Sequence, residues 1–250
     1  MSTRTSLFHK GKISLKIENG KYNSFFHPPG HLRVLRRGIS FNAYPSDTGG
    51  GLRGGDQLDL QIDLGPDSSL SWLPPASTLC YPGMNAEDAV GLDAQIRLAE
   101  NADLFLVEPA FIPCAQSRIK REVVINIADS SSIFYFDVFS PGRVGYGEEW
   151  VFEEYLFNLK FYINSKPLLF EKFKITKDDY PSGKAGFQGA KLWATVLLKG
   201  KEYLSFIENY LKDFGRGTYW TKGELGQDVW NIKILDFAGT YLSRLPKKVT

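Results

Sequence analysis

Leu58-Asp59-Leu60-Gln61-Ile62-Asp63-Leu64 runs into Gly65-Pro66-Asp67-Ser68-Ser69 and then Leu70-Ser71-Trp72. The first seven residues alternate apolar and polar without a break, the period of a strand whose two faces meet different surroundings. The next five are turn formers. Glycine and proline preset the backbone there, while aspartate and serine side chains bond to neighbouring backbone groups. Apolar residues resume at once, so the stretch reads strand, polar turn, strand.

The same form recurs along the chain. Ile13, Leu15 and Ile17 precede Asn19-Gly20, a strong short turn signal. Ala94, Ile96 and Leu98 lead to a turn around Glu100-Asn101-Ala102-Asp103, with Leu104 and Leu106 beyond. Val123, Ile125 and Ile127 lead to Asp129-Ser130-Ser131-Ser132, then Phe134 and Phe136. Phe157, Leu159, Phe161 and Ile163 lead to Asn164-Ser165-Lys166-Pro167, then Leu168. The last apolar residues before the turns are Ile17, Leu64, Leu98, Ile127 and Ile163, at intervals of 47, 34, 29 and 36 residues. A loose repeat of this length suggests stacked β-layers, as in a solenoid or an elongated sandwich. A meander of hairpins in an ordinary sandwich or barrel produces similar intervals, and at this level both readings stand.

Beyond about residue 175 the pattern changes. Lys191–Leu198 reads as a strand, whereas Glu202–Leu211 puts Leu204, Ile207, Tyr210 and Leu211 on one helical face. Val229–Leu235 reads as a strand and Phe237–Leu245 as a short helix closed by Pro246. The expectation is one domain over residues 1–250. It has a β body over about 5–180, a loop at Ser182-Gly183-Lys184-Ala185-Gly186 and a small α+β end over about 187–250.

Composition narrows the function. With 30 Lys+Arg against 28 Asp+Glu the net charge is +2, which argues against nucleic acid and against a polybasic membrane anchor. The greasiest run, Ile133–Phe139, is interrupted by Asp137 and is far shorter than a membrane span. The first ten residues lack the apolar stretch of a signal peptide, and two isolated cysteines suggest neither a disulfide framework nor a zinc knuckle. A cytoplasmic protein is expected.

Two glycine-rich segments stand out. Gly49, Gly51 and Gly54 formally match G-x-G-x-x-G, but a strand rather than a helix follows, so a dinucleotide site lacks its helix N-terminus. Pro141-Gly142-Arg143-Val144-Gly145-Tyr146-Gly147-Glu148-Glu149 is a kinked element in which Arg143 and Glu148 form an ion pair or line a polar passage. His27-Pro28-Pro29-Gly30-His31 spaces two imidazoles four apart, but prolines forbid the helix that would aim them together. No permanent metal site is expected. Glu148/Glu149 and Glu153/Glu154 are the acids available for glycoside chemistry, although adjacent strand residues face opposite ways. In Val151–Ile163, aromatics fall on both faces, which marks either a central core strand or one covered by a partner.

Gly50-Gly51-Leu52-Arg53-Gly54-Gly55-Asp56-Gln57-Leu58 resembles the GG-hydrophobic-x-GGD-x-L signature of the urease accessory protein UreD (UreH) family. Gly142-Arg143 with Gly147-Glu148 resembles that family's G-R-x-x-x-G-E. The likeness covers roughly residues 5–175. Leu79 stands where the family usually has lysine, and Ala110 where it usually has an acid. The resemblance implies a mainly β fold like a right-handed β-helix, with one or two helices near the C-terminus. It also implies a non-enzymatic scaffold that binds urease apoprotein and UreF, and UreG through UreF, for GTP-dependent nickel insertion. Nickel is then in transit through an internal passage rather than a resident cofactor. Asp56 and Glu148 are the candidate passage residues, and Gly50, Gly51, Gly54, Gly55, Gly142, Arg143 and Gly147 the structural signature. Phe152, Tyr155 and Phe157 are candidate partner-surface residues. A carbohydrate-binding or carbohydrate-active β-scaffold is the alternative.

Overall fold

The computed structural model describes residues 8–47, 49–108, 110–179, 189–212 and 218–236. Along the chain come β1 (Lys10–Glu18), β2 (Lys21–His27), β3 (Gly30–Arg37), β4 (Ser40–Asp47) and β5 (Leu52–Arg53). The next round is β6 (Gln57–Leu64), β7 (Ser69–Trp72) and β8 (Thr78–Tyr81), and the one after it β9 (Val90–Leu98), β10 (Asp103–Val107) and β11 (Phe111–Pro113). Then follow β12 (Arg118–Ile127), β13 (Ser132–Phe139), β14 (Glu154–Ile163) and β15 (Lys166–Thr176). The described part closes with β16 (Leu192–Lys199), α1 (Lys201–Lys212), β17 (Thr218–Gly226) and β18 (Val229–Asp236).

Successive strands take turns in three parallel stacks. β1, β6, β9, β12 and β14 pair in parallel as neighbours in the first. The second holds β4, β7, β10 and β13, and the short strands β5, β8 and β11 form the third. The chain thus winds as a coil. Most of the polar turns are corners of that coil rather than hairpins, which removes the hairpin-meander and barrel readings. Of the five polar turns of the repeat, Asn19-Gly20 and Asn164-Ser165 fold back antiparallel, as do the tight turns joining β3 to β4 and β17 to β18. Both residues of Asn19-Gly20 and of Asn164-Ser165 have positive φ, the twist a two-residue hairpin requires.

The five aligned apolar residues are stacked neighbours: Ile17 pairs with Leu64, Leu64 with Leu98, Leu98 with Ile127 and Ile127 with Ile163. The residue after each continues the ladder, with Gly65, Ala99, Ala128 and Asn164 donating N–H to the carbonyls of Ile17, Leu64, Leu98 and Ile127 at 2.7–2.9 Å. Polar side chains extend it outward, as Asn101 Nδ2 donates to Asp67 at 3.1 Å and Ser130 Oγ accepts the Asn101 N–H at 3.0 Å. The polar composition of the turns is therefore a stacking requirement as well as a solvation preference.

Two apolar clusters form. One fills the coil with Leu15, Ile62, Ile96, Ile125 and Phe157 among others. The other lies outside the second stack, where α1 covers β13 and β16. Ile133 and Tyr135 of β13 face the coil interior and Phe134 and Phe136 face α1, so β13 is buried on both sides. Tyr203, Ile207 and Leu211 are the buried residues of α1. Leu204 and Tyr210, expected on that face, are only partly covered. β18 matches the expected last strand, while β17 carries no alternating pattern because its residues are almost all exposed. The expected loop at residues 182–186 and helix over 237–245 lie outside the described residues.

Phe152, Tyr155 and Phe157 are fully buried. They are core residues and not a partner surface: Tyr155 and Phe157 of β14, and Phe152 just before it, point inward against Phe139 and Phe173, and each aromatic gains roughly 1.5–3 kcal/mol by leaving water.

Candidate functional site

The first glycine segment links β4 to β6 through the third stack. A Cβ on Gly54 would lie 2.5 Å from the Gly83 nitrogen and 2.7 Å from the Asp88 carbonyl, so no larger residue fits between these backbones. Asp56 is buried at the corner. Its Oδ1 accepts the His9 N–H at 2.9 Å and its Oδ2 the Arg53 N–H at 2.8 Å. The carboxylate is an internal cap for two backbone donors, the local role open to an aspartate in a tight loop.

The second glycine segment follows β13 and occupies the next position beyond β11. A Cβ on Gly142, whose φ is +145°, would lie 2.1 Å from the Glu148 carbonyl. Arg143 grips Glu148 with two parallel bonds, Nε to Oε2 at 2.8 Å and Nη2 to Oε1. The guanidinium also lies 5.4 Å from the centre of the Tyr146 ring. Hydrogen bonding to Arg143 holds the Glu148 carboxyl below the usual range, and the Ala115 backbone adds to this. Beside it burial pushes the Cys114 thiol up, against an opposing pull from Arg143. Asp56 and Glu148 do not meet. They are three coil layers apart, roughly 14 Å at the spacing of paired strands.

The other acids of this region are also engaged. Glu149 pairs with Lys191 at 2.6 Å, Glu153 with Lys177 at 2.8 Å and Glu154 with Lys174 at 2.5 Å. Glu154 also has Arg118 at 3.8 Å.

A cavity of about 120 Å³ runs inside the coil. Ile13, Leu60, Ala94 and Arg121, from four consecutive strands of the first stack, line one side, so it extends along the stacking axis. Pro45, Pro74 and Glu108 line the other. It is apolar over most of its length and ends on charge. Asp56 and Glu148 do not line it.

That charged end is a buried cluster which sequence reasoning missed. Arg121 occupies an inward position of β12 between Ile119 and Val123. Its Nη1 donates to Asp137 Oδ1 and its Nη2 to the Tyr135 hydroxyl at 3.2 Å, with Glu108 Oε1 3.6 Å from Nη2. Phe111 and Phe157 flank the guanidinium, their ring centres 4.5 and 5.4 Å away. One cation thus faces two carboxylates away from water. Burial pushes the Glu108 carboxyl up to about 7, Arg121 opposing and Asp137 reinforcing. Tyr155, also beside this cluster, has its phenol pushed up by burial. The signal was present in the sequence: Arg121 and Asp137 sit at the inward positions of two otherwise apolar alternations.

The geometry joins two glycine corners and an axial cavity in one coil, and residues 26–245 match the family model described as UreD urease accessory protein. The chain belongs to the UreD family. Among similar proteins are the urease accessory proteins UreD of Sporosarcina pasteurii, 28% identical over 57% of this chain and 55% of that protein, and of Anaeromyxobacter sp. (strain Fw109-5), 26% identical over 66% and 54%. The UreD of Halalkalibacterium halodurans is 22% identical over 66% of this chain and 63% of its own length. The matches thus span between half and two thirds of those UreD proteins. Of the glycines that carry the resemblance, Gly51, Gly54 and Gly142 sit where an added Cβ would run into backbone, whereas Gly50 and Gly147 face open space at positive φ.

Proposed function

We propose that this chain is a scaffold for urease maturation in the cytoplasm. In this reading it is not an enzyme; it binds urease apoprotein and UreF, with UreG through UreF, and assists GTP-dependent nickel insertion. The family match over residues 26–245 carries the reading. We read the coil as right-handed, because crossovers between parallel strands of one sheet are right-handed in the great majority of cases.

The axial cavity supports a passage for nickel as cargo. Transit calls for weak, exchangeable oxygen ligands rather than a closed site. Glu108 at the cavity's end suits this, since it is a carboxylate oxygen ligand that lines the cavity and is held only at 3.6 Å by Arg121. We therefore extend the proposed passage residues from Asp56 and Glu148 to Glu108. Asp56 and Glu148 would need to leave their present partners to bind an ion, which makes them corner-holding residues first.

The test is co-expression of urease apoprotein with UreF and UreG, with and without this chain, followed by recovery of the complex and nickel analysis of urease. Urease should co-purify with the chain and gain nickel only in its presence. Equal nickel loading without the chain, or no association, refutes the scaffold. If nickel loading falls in Glu108→Gln but not in Asp56→Ala or Glu148→Ala, the passage follows the cavity; the converse places it along the corners.

A further inference from the structure

The net charge of +2 conceals a strong asymmetry. Between residues 10 and 40 there are seven Lys/Arg and one acidic residue, Glu18, and all eight are exposed. Glu18 is engaged with Lys16 at 2.7 Å. Outside this segment the chain carries more acids than bases. The basic segment builds one end of the coil, where β2 is the terminal strand of the first sheet and β3 that of the second.

This end is also open. Tyr22, Ser24 and Phe26 of β2 stand opposite Ile17, Leu15 and Ile13 of β1, so they share the inward face. The three β1 residues are buried, yet Tyr22 is 46% and Phe26 44% exposed, because among the described residues no further layer covers them. Every residue of β2 is exposed, and its edge away from β1 pairs with no strand among the described residues. Terminal layers of stacked β-architectures ordinarily need a cap, and an unpaired apolar edge is a template for strand addition. Lys21 guards only the first position of β2.

We propose that this end docks an extended acidic segment of another protein, which adds as a strand along β2. Inward side chains of the incoming strand cover Tyr22 and Phe26, and its outward carboxylates meet Lys21 of β2 and Lys12 and Lys16 on the same outward face of β1. Backbone pairing supplies the affinity and the charge pattern the selectivity. A second copy of this chain is disfavoured as occupant, since two basic ends would face each other. A nucleic acid is disfavoured because it has no peptide groups to pair with β2, and because Tyr22 and Phe26 face the coil interior rather than offering a flat outer platform. The inference does not depend on the maturation reading, and its failure leaves that reading standing.

The test uses the full chain and a fluorescent twelve-residue peptide alternating Glu and Val. A Lys–Val peptide and a twelve-nucleotide oligo-uridine serve as controls, with anisotropy and amide exchange as readouts. The Glu–Val peptide should bind at least tenfold more tightly than either control and weaken at least tenfold between 50 mM and 500 mM salt. It should slow exchange in β2, and the folded double variant K12E/K21E should lose at least tenfold in affinity. No binding of the Glu–Val peptide, equal binding of the Lys–Val peptide, or tighter binding of the oligonucleotide overturns the proposal. So does self-association that protects β2 without peptide.

Discussion

Replacing Glu108 by Gln tests the buried cluster directly. Glu108 lies at the end of β10, its N–H bound to the Phe136 carbonyl at 2.8 Å and its carboxyl buried beside Arg121 and Asp137. Burial raises the carboxyl from its ordinary 4.5 to about 7 despite Arg121. A raised pKa means that the folded state prefers the protonated form. The stability this contributes is fully present below pH 4.5, falls as pH rises, and is lost once pH passes 7. At about 1.36 kcal/mol per pKa unit, the loss amounts to about 3 kcal/mol across that window. Glutamine has nearly the shape of the protonated acid and does not ionise. The two proteins should therefore have similar stability at pH 5, with the variant gaining on the wild type to about 3 kcal/mol by pH 8. Urea denaturation of both proteins at several pH values between 5 and 8 measures this difference, in which the other titrating groups cancel. The opposing case is an ionised Glu108 held firmly by Arg121, whose removal would cost about 3–5 kcal/mol. A difference independent of pH, or a variant less stable than wild type at pH 8, refutes the reasoning.

Three further outcomes follow from the packing. Phe157→Ala, which empties a fully buried inward position of β14, should cost about 3–5 kcal/mol by urea denaturation, while Phe25→Ser at an exposed position of β2 should stay within about 0.5 kcal/mol. Gly54→Ala drives a methyl into the Gly83 and Asp88 backbones and should abolish soluble folded protein. Gly50→Ala, in open space at φ +73°, should fold with a loss of about 1–2 kcal/mol. Carboxyl NMR titration should give Glu148 a pKa below the ordinary 4.5 that returns toward it in Arg143→Ala, since the Arg143 bond is the largest cause of the depression.

The alternation of Leu58–Leu64 and its four counterparts determined which residues face inward, and the aligned ends Ile17, Leu64, Leu98, Ile127 and Ile163 determined the register in which the layers stack. Those properties are local, because side-chain direction repeats every two residues and the register follows the turn. Whether a polar turn closes a hairpin or rounds a corner was not local. Asp129–Ser132 and Asn164–Ser165 look alike in composition, yet one leads into the second stack and the other folds back on β14, because the choice rests on which neighbouring layer offers a free edge. The glycine corners were legible for the same reason as the strands: Gly54 and Gly142 sit where backbones approach too closely for a side chain. The axial cavity and the Glu108–Arg121–Asp137 cluster were not, since each side chain comes from a different strand and becomes a neighbour only when the layers close around it. The fate of Phe152, Tyr155 and Phe157 was decided in the same way, because an aromatic strand is equally suited to a core or to an interface until the opposite wall of the coil covers it.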